Sequence, residues 1–202
     1  MAAVREEAVV CTRCELSETR THVVFGEGNV NTPLVLVGEG PGANEDATGR
    51  PFVGRAGKLL DEVLAENGMK RQHVYICNVL KCRAALMENG RLKNRPPRVE
   101  EAAACRAWLD TQLAIIRPLV IVCLGSPAAN AVIHANFAIT RERGQWFSNS
   151  PYAPWVMAAL HPAYILRQHG EGYDAARSSL VQDIGAARVK VVELRKAARE
   201  SS

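Results

Sequence analysis

Four side chains are typed and placed for chemistry on a ligand that is not a phosphate. Glu39 and Phe52 lie in VLVGEGPGANEDATGRPFVGRAG, Asn78 ends the apolar run HVYIC, and His161 stands in ALHPAY. The first stretch is glycine-rich like a phosphate loop, yet it lacks the Gly-Lys-Ser/Thr ending that would reach a nucleotide's outer phosphates. Glu39 and the pair Glu45-Asp46 would repel polyphosphate. What the run offers instead is close backbone at Gly38 and Gly40, a carboxylate and an aromatic ring. Taken singly, each residue has a plainer explanation: a strand-end asparagine caps a turn, a phenylalanine fills core, and a histidine before proline is structural. The case for function is joint, because all four are predicted on one side of one sheet.

Six cysteines form a second group. Cys77 and Cys123 sit in apolar, strand-like runs, where cysteine acts as a small buried hydrophobe. Cys11 and Cys14 form CTRC, while Cys82 and Cys105 have polar, basic neighbours. In an intracellular protein that set points to a metal held by four thiolates rather than to disulfides, with unrelated free thiols as the alternative. With 202 residues, 48% apolar, and 25 basic against 21 acidic side chains, the chain fits one domain, 1–202, of mildly basic charge. That balance permits a nucleic-acid partner without requiring one. No apolar run is long enough to span a bilayer, so a cytoplasmic, membrane-free protein is the expectation.

The elements that must position these residues follow from hydrophobic period. TPLVLVGE, HVYICNVLK, LVIVCLG and PWVMAAL read as strands. AGKLLDEVLAENG and VEEAAACRAWLDTQLAII read as helices, and SPAANAVI opens another with Ser126 at the N-cap and Pro127 at N1. Apolar residues from Tyr173 through Ala176, Leu180, Ile184, Ala187 and Val191 to Leu194 predict one long amphipathic helix, frayed at its end. Strands alternating with helices predict a three-layer α/β/α domain with a mainly parallel, four-stranded central sheet. Ligands of such sheets bind beyond the carboxyl ends of the strands, where Glu39, Asn78 and His161 fall. The basic stretch Arg83–Arg98 reads as a long loop.

Taken in order, GEGPGANEDATGRPFVGRAG, NVLKCR…NRPP…EEAAAC and HPAYILR, preceded by CTRC, resemble the motifs of the iron–sulfur (family 4) uracil-DNA glycosylases. The resemblance covers about Cys11 to Arg167. It implies a DNA-repair hydrolase that flips uracil out of single- or double-stranded DNA and cleaves its N-glycosidic bond, acting as a monomer. It assigns the uracil pocket to Gly38, Glu39, Gly40, Phe52, Asn78 and His161, with Glu39 and His161 catalytic. It assigns Cys11, Cys14, Cys82 and Cys105 to a [4Fe–4S] cluster, with a structural zinc as the alternative that spacing alone leaves open. DNA contact is expected from Arg83, Lys93 and Arg95. After His161, Tyr164, Ile165 and Leu166 are expected to form a wedge, and Arg167 to hold a phosphate. The chain departs from better-known branches in carrying Gly40 where they place an aspartate, Gly42 where they place a bulky aromatic, and Asn94 where one places a reactive histidine. Glu45 is then the candidate for excluding thymine; Glu45 and Asp46 are also the nearby alternatives to Glu39 for activating water, although an acidic pair just after a turn is usually solvated. The rival reading is a non-catalytic, metal-stabilised module that senses damaged bases.

Overall fold

The structure is a computed structural model that describes residues 1–200. Two short helices, α1 (Ala2–Val9) and α2 (Leu16–Thr19), precede strands β1 (Glu27–Gly28) and β2 (Leu34–Gly38). Helices α3 (Ala43–Thr48) and α4 (Arg55–Glu66) follow, then a 3₁₀ turn (Arg71–His73) and β3 (Tyr75–Asn78). A hairpin of β4 (Ala85–Glu88) and β5 (Arg91–Asn94) leads to α5 (Val99–Ile116), β6 (Val120–Leu124), α6 (Ser126–Val132) and α7 (Ile139–Glu142). The chain continues through β7 (Trp146–Phe147), β8 (Trp155–Ala159), the single turn α8 (Pro162–Ile165) and α9 (Glu171–Glu200).

Alternation within the apolar runs makes the layers. Val35, Val37, Cys77, Ile121, Cys123, Val156 and Ala158 point to one face, where Leu109 and Leu113 of α5 and Ala128, Ala129 and Val132 of α6 cover them. Leu34, Leu36, Ile76, Val120, Val122 and Met157 point to the other, under α4, α8 and α9. Strands buried on both faces need crossover helices, and the four long strands are parallel in the order β3-β2-β6-β8. The predicted four-stranded sheet is thus the core of a six-stranded one: two-residue antiparallel strands, β1 beside β3 and β7 beside β8, close its edges. They are too short to leave a periodic signature.

Other differences are local. Gly125, at φ 91°, is the N-cap of α6, so Ser126 and Pro127 fall one position further in than expected. The basic stretch read as a loop folds in part into the β4–β5 hairpin, with a turn through Asn89 and Gly90, both at positive φ. The long C-terminal helix forms as expected, burying Leu180, Ile184, Ala187 and Val191. It runs to Glu200, through most of the end expected to fray, and positions 201 and 202 lie outside the described residues. Among the described residues no helix is long and apolar enough to cross a membrane.

Candidate active site

The chain leaves β2 toward β3 on one side and later places β6 on the other, which opens a crevice beyond the carboxyl ends. A cavity of about 220 Å³ lies there, lined by Glu39, Gly40, Glu45, Phe52, Asn78 and His161 together with Leu80, Asn94 and Arg95. Backbone hydrogen bonds from Val79 N–H to Gly38 O (2.9 Å) and from Leu80 N–H to Glu39 O (2.9 Å) carry the β2–β3 ladder past the strand ends. Glu39 and Asn78 are therefore fixed by sheet geometry rather than by loops. Gly38 must be glycine: a Cβ there would stand 2.4 Å from Asn78 Oδ1 and 2.7 Å from Phe52 Cζ.

Each polar group in the cavity has a distinct state. Asn78 is buried, and among the described residues its Oδ1 has no hydrogen-bond partner. Glu39 is half-buried, and the burial raises its carboxyl above the ordinary range. His161 caps α8: its Nδ1 accepts from Ala163 N–H at 3.0 Å. With Nδ1 accepting, the ring proton sits on Nε2. Burial, aided by the charge of Arg167, lowers His161 to about 4, so the ring is neutral at physiological pH. Its plane lies 30° from that of Phe52, with ring centroids 5.7 Å apart.

Glu45 and Asp46 depart from expectation, because both carboxylates are engaged by backbone N–H groups. Glu45 Oε1 accepts from Val53 N–H and Gly54 N–H (2.9 Å each), and Oε2 accepts from Gly42 N–H (3.1 Å). Asp46 is buried and accepts from Thr21 N–H at 2.9 Å. The two residues clamp the glycine loop to its own far end and to the N-terminal segment. A glycine followed three residues on by glutamate is a helix-start signal that could have revealed the Glu45 contact to Gly42.

The residues after His161 divide. Ile165 is fully buried with Leu60, Val63 and Leu180, and so is not part of a wedge. A single helical turn packed on α4 and α9 must turn one side inward, and that side carries Pro162 and Ile165. Tyr164 and Arg167 are exposed, and Leu166 is half-buried against the same core. On the hairpin side, the expected DNA-binding cations have partners within the protein. Arg83 donates to Asn94 Oδ1 (2.7 Å) and Leu92 O (3.0 Å), Lys93 pairs with Glu88 (2.6 Å), and Arg95 makes a two-pronged bridge to Glu101 (2.8 and 2.5 Å).

Away from this pocket, Cys11, Cys14, Cys82 and Cys105 line one small cavity with Arg13, Arg20 and Trp108. Among the described residues, the lining holds no carboxylate or imidazole. Arg20 Nη1 lies 3.4 Å from Cys82 Sγ, and Lys81 N–H donates to Cys105 Sγ at 3.5 Å. Among the described residues, no three His, Cys, Asp or Glu side chains are grouped as ligands of a single metal ion. An all-sulfur donor set with a guanidinium and a backbone N–H turned toward it fits a thiolate-bound centre. Lys81 was not foreseen. Its fully buried ammonium donates to Asn78 O (2.6 Å) and Gln112 Oε1 (2.5 Å), behind the pocket.

Comparison with known proteins fits this geometry. Residues 25–185 match the family model described as the uracil DNA glycosylase superfamily. The type-4 uracil-DNA glycosylase of Thermotoga maritima is 44% identical over 192 residues, covering 93% of each chain. That of Archaeoglobus fulgidus is 43% identical over 166 residues, covering 79% of this chain and 80% of its own. That of Sulfurisphaera tokodaii is 42% identical over 147 residues, covering 70% and 64%. The chain belongs to the uracil-DNA glycosylase superfamily and, within it, to the type-4 group.

Proposed function

We propose that this chain takes uracil out of single- or double-stranded DNA and hydrolyses its N-glycosidic bond, leaving an abasic site. The observation that carries the reading is Asn78 Oδ1, buried and unpartnered in the same pocket as Phe52 and a neutral His161. A buried acceptor without a donor costs about 1–3 kcal/mol, which a ligand bearing an N–H in the right place recovers. Uracil presents N3–H to that oxygen and O4 to the amide's N–H. Cytosine presents an acceptor and a donor in the reverse order, so the fixed amide rejects it. Phe52 supplies the stacking face.

In the bond-breaking step, the electron pair of the C–N bond leaves with uracil and the sugar gains oxocarbenium character. His161 Nε2–H donates to the negative charge growing on uracil O2. Glu39 orients a water toward the sugar carbon and steadies the cation, and the water's proton passes to its carboxylate. Tyr164, Leu166 and Arg167 are the groups at the rim that meet the emptied stack and a flanking phosphate. Arg83, Lys93 and Arg95 face the backbone from the hairpin, where they also hold its shape. In this reading the chain works as a cytoplasmic monomer.

Single-turnover release of uracil from an end-labelled oligonucleotide tests the function, with matched thymine and cytosine strands as controls. The wild type is expected to cleave only at uracil. Asn78→Ala is expected to lose roughly 10- to 100-fold in rate and most of its preference for uracil over cytosine. Tight binding of uracil-containing DNA with no base released by the intact protein would favour the damage-sensing module instead.

In the same reading Cys11, Cys14, Cys82 and Cys105 hold a [4Fe–4S] cluster. Four sulfur donors, the nearby N–H groups and the type-4 kinship support it. When bound, the cluster cross-links three parts of the chain: the segment between α1 and α2, the turn after β3, and α5. Iron and sulfide analysis should return about four of each per chain, with broad visible absorption. Stripping the metal should lower Tm by about 5–15 °C, the scale of losing a few kcal/mol in a domain of this size. A colourless protein carrying stoichiometric zinc would replace the cluster with a zinc site.

A further inference from the structure

Phe52 has a backbone conformation that needs an external cause. Its φ is 52°, in the left-handed region, where a bulky residue is strained. Its carbonyl oxygen is pressed so close to Gly57 that a Cβ at position 57 would stand 1.7 Å away. Nothing in GRPFVG itself enforces this shape. Glu45 fixes the following N–H groups of Val53 and Gly54, and the carbonyl side is held by Arg71, at the start of the 3₁₀ turn that leads into β3. Arg71 Nη2 donates to Phe52 O, and Nη1 donates to Pro51 O at 3.0 Å. The rest of the guanidinium is held by two carboxylates, Glu27 at 2.6 Å and Asp61 at 2.7 Å. Arg50 grips Glu27 from the other side at 2.8 Å. Burial would raise the Glu27 carboxyl, but the two guanidiniums hold it below its ordinary range.

We propose that Arg71, fixed by Glu27 and Asp61, is a positioning residue that sets the Phe52 ring for stacking on the flipped base. The inference rests on the uracil-pocket reading above. Arg71 touches neither base nor sugar and acts through the Pro51 and Phe52 carbonyls. The same residue begins the segment that ends at Asn78, so one guanidinium ties the stacking face to the strand that carries the base-reading amide. Two carbonyls and two carboxylates around one planar group require a fork of donors, which lysine's single ammonium cannot supply.

The test is a double-mutant cycle on the full-length, metal-loaded protein, using Arg71→Met, Phe52→Ala and the double variant. Affinity for free uracil, single-turnover release, affinity for abasic-site DNA and Tm are measured for each. Arg71→Met alone should weaken uracil binding and slow release roughly 10- to 100-fold, the scale of lost charge-assisted hydrogen bonds, with abasic-DNA affinity unchanged. In the Phe52→Ala background the same change should have no further effect on uracil affinity or rate. Arg71→Lys should recover Tm more than uracil affinity. Additive losses in the double variant, or a loss that follows Tm alone, would overturn the positioning role while leaving the glycosylase reading intact. A folded wild type that neither binds nor releases uracil would overturn both. Should Arg71→Met fail to fold, Glu27→Gln is read in the same cycle. It leaves Arg71 in place with one anchor weakened, and a smaller loss confined to uracil affinity is expected from it.

Discussion

Glu39→Gln is expected to lower single-turnover uracil release by about 10²–10⁴-fold, the contribution typical of a positioned general base, while affinity for uracil-containing DNA should stay close to wild type. The amide keeps the shape of the carboxylate but can neither take a proton from water nor steady a sugar cation. The pH profile separates this from a packing effect. Burial raises the Glu39 carboxyl, so the wild-type rate should fall on the acid side at a pH above the ordinary carboxylate range. The variant should lack that limb. Stability moves oppositely. A group whose folded pKa is raised binds its proton more tightly when folded, so above that pKa its ionised form destabilises the protein. Glu39→Gln should therefore raise Tm at neutral pH and lose the gain as the pH falls through the Glu39 titration. A variant that is slow, weakly bound and less stable together would mean that Glu39 is a structural residue.

His161→Ala is expected to cost roughly 10²–10³ in rate, the usual effect of removing one preorganised donor to a developing anion. The neutral ring fixes the character of that donor. With Nδ1 accepting from Ala163 N–H, Nε2 carries the proton, and with the pKa lowered to about 4 the ring stays uncharged through the working range. The wild-type rate should then show no basic limb near the ordinary histidine pKa. Unfolded histidine takes up its proton near 6.5 and folded His161 only near 4. Between those values the unfolded chain binds more protons, so His161 erodes stability as the pH drops from about 6.5 toward 4. His161→Ala should flatten that part of the stability profile. A wild-type rate that declines above pH 6.5, with the decline absent in the variant, would show a charged donor instead.

The sheet and its carboxyl-end rim were legible because the unbroken apolar runs LVLVG, VIVCL and WVMAA are a local signal that burial on two faces enforces. Asn78 and His161 could be placed because each ends such a run. What was not legible depends on partners remote in sequence or on segments too short to carry a period. Arg71 meets the Phe52 carbonyl 19 residues away and Glu27 44 away. No spacing rule links an arginine ahead of one strand to the carbonyl of a loop after another. The β4–β5 hairpin is built from ALME and RLKN, short segments of low strand propensity, and its one local signal is the Asn89-Gly90 turn between them. Ile165 illustrates a third limit: in a four-residue turn, sequence cannot say which side faces in. Glu45 shows a fourth, since a carboxylate beside a glycine loop reads as solvated until three backbone N–H groups are found on it.

The two-residue strands at the sheet margins bear on how copies of this protein behave toward one another. Without them the parallel sheet would end in β3 and β8, four and five residues of almost wholly buried, apolar backbone with one row of hydrogen-bonding groups open. Such a border is a template for recruiting a strand from another chain. β1 covers Tyr75 and Ile76, and β7 covers Val156 and Met157. Gly28 makes the first cover possible, because a side chain there would strike Val74 O at 2.2 Å. What each margin then offers is a cover of only two residues, too brief to seed a growing ladder. Gly28→Val should strip that cover from β3, and its signature would be time-dependent aggregation at high protein concentration rather than a slower turnover.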